Sequence, residues 1–338
     1  MSSSSPLRYG SPICGGTCEN HTQTFPGNLS HEFYYMILCS MNVSTFGRFK
    51  SIAQIVAIVT ILICLVGLVG NGSVIWLLGF HIERNPVSVY ILNLAIADFG
   101  TLVFMSAGLI LWIIKSSFEL SDQIVNVPLQ ILANLYYFTY TVSLYLLTTI
   151  GVARCLLILF PLWVRCQRAR NLSAIISCLF WSVAALFNAM QFLVYCFFPV
   201  ETWITVVKII SGINLLTFVP VMIVSTMILF TKVCCRLQKY HPGRLYTVIF
   251  ATLLFFVIAA VPIKILFFVA IFVENIPSLI IPVVVMFTSV NSSVNPIIYY
   301  FVGRHRKHRT WESVRVVFQR VFKHDADSAG NQTVFPNQ

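Results

Sequence analysis

Seven stretches of this 338-residue chain are too long and too apolar to be left in water. They run over residues 52–78, 87–114, 124–159, 172–198, 203–233, 245–273 and 279–302. Runs of about 18 or more apolar residues cross the hydrocarbon of a bilayer as helices. In lipid only helices and closed barrels satisfy their own backbone groups, and the period-two alternation of barrel strands is missing here. The expected fold class is therefore an all-α membrane protein, a seven-transmembrane helix bundle. With 58% hydrophobic and 10% charged residues, the composition leaves little surface for water outside the ends of the segments.

The formal net charge of +11 reports topology and not nucleic-acid binding. Of 22 Lys and Arg, 16 fall on one side of the seven segments, in the segment ends, links and tail there, from Arg84 through Arg154 and Lys232 to Lys323. Cytoplasmic loops collect such residues. The N-terminus is thus expected outside the plasma membrane and the C-terminus in the cytoplasm. Residues 1–51 read as an extracellular tail with three Asn-x-Ser/Thr sequons, at Asn20, Asn28 and Asn42, expected to carry glycans. Residues 52–302 form the bundle. Over 304–322, Trp311, Val314, Val317, Phe318, Val321 and Phe322 recur at spacings of three and four against a basic face, as in an amphipathic helix lying on the inner leaflet. Residues 323–338 are a polar cytoplasmic tail. Cys14, Cys18, Cys39 and Cys196 fall on the outer side and allow three full pairings.

Sparse polar residues inside the spans carry the chemistry. Asp98 is the only acid deep in any of them, and a carboxylate at mid-bilayer costs roughly 3 kcal/mol or more unless it faces water or a partner. Ser143 in the third segment and Asn291, Ser292 and Asn295 in the seventh are candidate partners. Such oxygen-bearing side chains suit an interhelical hydrogen-bond hub, a bound sodium ion, or both, and are wrong for a transition metal. No other cofactor and no structural metal are expected. All seven His lie outside the spans, a second buried acid is lacking, and no phosphate-cradling glycine loop occurs, so the chain is not read as an enzyme.

Taken together and in order, Gly70-Asn71, Leu94-Ala-Ile-Ala-Asp98, Arg154, Trp181, Pro220, Pro262 and Asn295-Pro-Ile-Ile-Tyr299 resemble the rhodopsin-like G-protein-coupled receptors. The stretch Leu144–Cys155, followed by Phe160-Pro-Leu-Trp-Val-Arg-Cys166, is similar to the Mas-related receptor family. So are Arg84-Asn-Pro86, the run Asn291–Gly303 and Val316–Arg320. The Pro220 segment and the basic residue beyond Pro262 are closest in pattern to Mas and its nearest relatives. The resemblance covers about residues 52–323.

That resemblance implies an extracellular ligand, a heterotrimeric G protein and a surrounding lipid bilayer as partners. It implies that Arg154 packs against an inserted G-protein helix, that Tyr299 turns inward to hold the open state, and that Pro262 kinks the sixth helix. Asp98, Ser143, Asn291, Ser292 and Asn295 would be its sodium pocket. Its ligand pocket would be lined by Tyr136, Tyr137 and Tyr140 of helix 3, Gln191 of helix 4 and Lys264 of helix 6. Lys264, flanked by Ile263 and Ile265, points to a ligand with a carboxylate or similar anion, or else snorkels to the interface. Departures accompany the match: Ala153 stands where an acid commonly precedes Arg154, Ile228 replaces a tyrosine, and Ile258-Ala-Ala-Val-Pro262 lacks an aromatic switch. They keep open an alternative, a receptor-like partner or decoy that modulates other receptors without coupling itself. G-protein recruitment in cells separates the two.

Overall fold

The computed structural model describes residues 47–81, 86–118, 122–159, 172–237 and 280–303, with individual positions between 250 and 268. Five long helices come first: α1 Gly47–Phe80, α2 Pro86–Phe118, α3 Asp122–Leu159, α4 Leu172–Phe197 and α5 Val200–Leu237. A sixth, α6, is seen at helical positions between 250 and 268, including a π-type pair at 257–258, and α7 spans Ile280–Gly303. Among the described residues there are thus seven helices and no strand, as the apolar segments require. The glycosylation sites Asn20, Asn28 and Asn42, the pairing of Cys14, Cys18 and Cys39, the helix expected over 304–322 and the tail after it lie outside the described residues.

Local chemistry explains the helix ends that the structure describes. Pro86 opens α2 at a position where its missing N–H has no partner to lose. Between α4 and α5 the chain turns within a few residues. Phe198 N donates to Val194 O at 3.0 Å to close α4, and the Pro199 carbonyl accepts from Thr202 N at 3.0 Å to open α5. Pro128, Pro220 and Pro296 all sit inside helices, which neighbouring helices in a bundle tolerate.

Among the described residues, five helices are long and apolar enough to cross a membrane, over Ser51–Phe80, Ser88–Phe118, Val127–Ala153, Leu172–Phe197 and Glu201–Thr231. α7 is more polar because it carries Thr288, Ser289, Asn291, Ser292, Ser293 and Asn295, all of them buried. The burial pattern is the reverse of a water-soluble protein: Val69 is 73% and Leu216 76% exposed, while Asp98 is 0% exposed. Apolar surface on this scale is stable only against lipid.

α3 is the central helix, packed against α2, α4 and α5, and α1 lies against α2 and α7. The main core joins Leu94 and Ala97 of α2, Tyr145 and Leu146 of α3, Met222 and Leu229 of α5, Val261 of α6 and Tyr299 of α7. Glycines let α1 approach α7 closely: a Cβ on Gly67 would run into Ser293 and Leu102, and one on Gly70 into Pro296. A smaller apolar cluster, Val125 and Leu129 with Leu111 and Ala133, closes the α2–α3 seam near the start of α3.

Candidate functional site

Hydroxyls in an apolar bundle usually bond a carbonyl one turn back in their own helix. Thr60, Thr101, Thr148, Thr226 and Thr288 all do so at 2.7–2.9 Å. The exceptions mark the site. Ser143 Oγ of α3 donates to Asp98 Oδ1 of α2 at 2.7 Å, and Asn295 Nδ2 of α7 donates to Asp98 Oδ2 at 2.8 Å. Asp98 therefore ties three helices together. Asn71 Nδ2 of α1 adds a fourth by donating at 3.0 Å to the Ser292 carbonyl, and at 3.0 Å to Gly67 O in its own helix.

Ser292 is 0% exposed, and its hydroxyl sits beside the Asp98 carboxylate without a well-aligned hydrogen bond to it. A buried unpaired oxygen costs free energy unless water or an ion meets it. Asn291, one turn before Asn295, is buried but does not bond the carboxylate. The cluster thus offers one carboxylate, the Ser143 hydroxyl and the Ser292 hydroxyl, all hard oxygens. That donor set fits a small monovalent cation.

At the other end of α3 from Arg154, the three tyrosines divide between two faces of the helix. Tyr136 and Tyr140 stack with ring centroids 6.0 Å apart, and Tyr136 packs against the Cys64, Leu102 and Met105 cluster and faces Thr288 of α7. Tyr137, one step round the helix, lies within hydrogen-bond distance of Ser211 Oγ of α5 at 3.4 Å and also faces Asn214 and Gln191. Gln191 is buried, and its Nε2 has no partner. The arrangement therefore brings Tyr137 and Gln191 together and sets Tyr136 and Tyr140 on a separate wall. Lys264, Pro262 and the side chain of Arg154 lie outside the described residues. Tyr299 is buried in the main core, near the end of α7 that follows Asn295.

The structure adds Ser211, Asn214, Tyr145 and Asn93. Ser211 and Asn214, polar residues three apart in an apolar span, face α3; their spacing was the available signal. Tyr145 OH donates to Asn214 Oδ1 at 2.8 Å, and its ring stacks on Phe218 at 4.2 Å. Trp181 Nε1 donates to Asn93 Oδ1 at 3.1 Å, joining α4 to α2. Among the described residues no group of His, Cys, Asp and Glu could hold a metal ion.

A family model described as 7 transmembrane receptor (rhodopsin family) matches residues 70–299. Mouse Mas-related G-protein coupled receptor member D is 36% identical over 80% of this chain and 86% of its own length. Human Proto-oncogene Mas is 34% identical over 83% of this chain and 89% of its own. Mouse Mas-related G-protein coupled receptor member H is 35% identical, covering 82% and 86%. With the four-helix polar hub and the lipid-facing bundle, these matches leave one assignment: the chain belongs to the Mas-related group of rhodopsin-family receptors, and is a multi-pass plasma-membrane G-protein-coupled receptor, not an enzyme.

Proposed function

We propose that the receptor binds an extracellular ligand bearing a carboxylate or similar anion, such as a peptide C-terminus, and answers it by engaging a heterotrimeric G protein. The positive-inside pattern supports an N-terminus outside and a C-terminus in the cytoplasm. The pocket then lies in the outer half, among Tyr136, Tyr137, Tyr140, Gln191 and Lys264, and the G protein meets the end that carries Arg154 and Tyr299. Asp98, Ser143, Asn291, Ser292 and Asn295 hold a sodium ion between the two ends in the closed state, and a ligand that prefers the open state shifts the equilibrium by its differential affinity.

What carries the ligand reading is the position of Lys264 in the sequence, a basic residue inside an apolar segment. The nearest acid in that segment is Glu274, ten residues on. Along a helix that is about 15 Å, too far for a direct pair. A cation so placed faces a wet cavity. The buried, unpartnered Nε2 of Gln191 on the far wall supports a polar occupant of the same cavity.

The test is a screen of N-acyl amino acids, dicarboxylates and short peptides on cells, each peptide with a free and an amidated C-terminus. Recruitment of all G-protein classes is the readout. Free carboxylates should activate and amidated partners should not, and Lys264→Met should lower potency tenfold or more, with Lys264→Arg retaining most of it. Agonists whose potency changes less than about threefold in Lys264→Met would show that Lys264 only snorkels.

A further inference from the structure

Tyr136, Tyr140 and Ser143 follow one another at spacings of four and three, which places them on one face of α3. The face begins in the outer half and ends at the carboxylate. The two rings stack at 6.0 Å with planes only 10° apart, and the next turn supplies the hydroxyl that donates to Asp98 Oδ1 at 2.7 Å. Tyr136 packs against the buried cluster of Cys64, Leu102 and Met105, which fixes one side of its ring. Tyr140 is close enough to Asp98 to interact with it electrostatically, and so is Tyr299 from one turn beyond Asn295. Tyr140 stands one turn outward from Ser143 and Tyr299 one turn beyond Asn295, on either side of a carboxylate that is 0% exposed. In sequence, Ile258-Ala-Ala-Val-Pro262 of the sixth segment contains no aromatic residue.

We infer that Tyr140 is the positioning residue that links the outer pocket to the Asp98 cluster. Its ring is a plug held in register by the stack with Tyr136, and its removal opens a path to the carboxylate. A ligand that prefers one arrangement of the stack biases the plug by its difference in affinity for the two. The coupling of ligand to plug rests on the pocket proposed above; the plug itself does not.

Ser292→Cys provides the probe, because the Ser292 side chain is small, fully buried and beside the Asp98 carboxylate. Intact cells expressing the full chain are treated with the membrane-impermeant cation 2-(trimethylammonium)ethyl methanethiosulfonate. Mass spectrometry of the peptide around position 292 then follows the rate of labelling. With Tyr140 or Tyr140→Phe labelling should be slow; with Tyr140→Ala it should be at least tenfold faster. Tyr140→Leu, smaller than the ring but apolar, gives an intermediate rate and serves if the alanine variant fails to reach the surface. Basal recruitment of G protein at matched surface amount should shift at least threefold in Tyr140→Ala and return in Tyr140→Phe, which a merely structural ring would not produce. Equal labelling rates with Tyr, Leu and Ala would overturn the inference, whatever the ligand proves to be. Faster labelling together with a Lys264→Met that leaves potency intact would keep the plug and place the ligand elsewhere.

Discussion

Replacing Gly67 by Ala tests whether α1 and α7 meet as closely as the structure has them. The added methyl would lie 2.7 Å from Leu102 Cδ1 and 2.8 Å from Ser293 Cβ, and closer still to Ser293 Oγ. Carbon atoms in contact prefer about 3.5–4.0 Å, so roughly 0.8 Å must be found. Leu102 is 0% exposed and Ser293 Cβ is fixed to its backbone, so the helices must part. Parting them also strains the 3.0 Å bond from Asn71 to the Ser292 carbonyl. Overpacking of this kind costs about 1–3 kcal/mol, and each kcal/mol lowers the melting temperature by roughly 2–4 °C in a protein of moderate size. Gly108, whose Cβ would meet nothing within 4 Å, is the control; Gly108→Ala should be neutral or stabilising by up to about 1 kcal/mol. Detergent-purified receptor with a thiol-reactive dye reads both, since Cys64 beside this seam is fully buried until unfolding. A Gly67→Ala protein that melts with the wild type would refute the close α1–α7 approach.

Asp98→Asn removes the charge that a sodium ion needs, so any rise in melting temperature in sodium over choline chloride should vanish; a rise that persists would sink the sodium pocket. Ala153→Glu gives Arg154 an adjacent acid and should lower basal G-protein recruitment about fivefold, from a partly solvated pair of about 1 kcal/mol; unchanged recruitment at equal expression counts against it. Tyr145→Phe strands the buried Asn214 amide, a loss of about 1–3 kcal/mol. Adding Asn214→Leu should recover most of that loss, and a neutral single variant would show that the Tyr145–Asn214 bond contributes nothing.

Helix positions were legible because apolar length is a crude and sufficient signal. Each described helix end falls within five residues of its apolar segment, the widest gaps at the start of α1, where Gly47 precedes residue 52. The partners of Asp98 were legible for a related reason: few polar side chains occur in these spans, and Ser143 and Asn295 are among them. Which of two asparagines bonds the acid was not, because Asn291 and Asn295 share a face and only the height of α7 against α2 separates them. The split of Tyr136 and Tyr140 from Tyr137 follows from a turn of about 100° per residue, yet the wall each one meets depends on helix neighbours that the sequence does not state. Nothing in the sequence sets Tyr145 apart from the other aromatics of the spans; the structure places Asn214 of α5 opposite its hydroxyl.

The seam at the start of α3 has a practical consequence. Many rhodopsin-like receptors would place a cysteine here, but the sequence has none between Cys64 and Cys155, and Val125, Leu129, Leu111 and Ala133 pack the position instead. That end of α3 is held by the exclusion of solvent and not by a covalent tether. Reductants will leave the seam intact, whereas a short-chain detergent that wets the helix ends will loosen it, so the choice of amphiphile, not redox buffer, sets how well this wall of the receptor survives extraction.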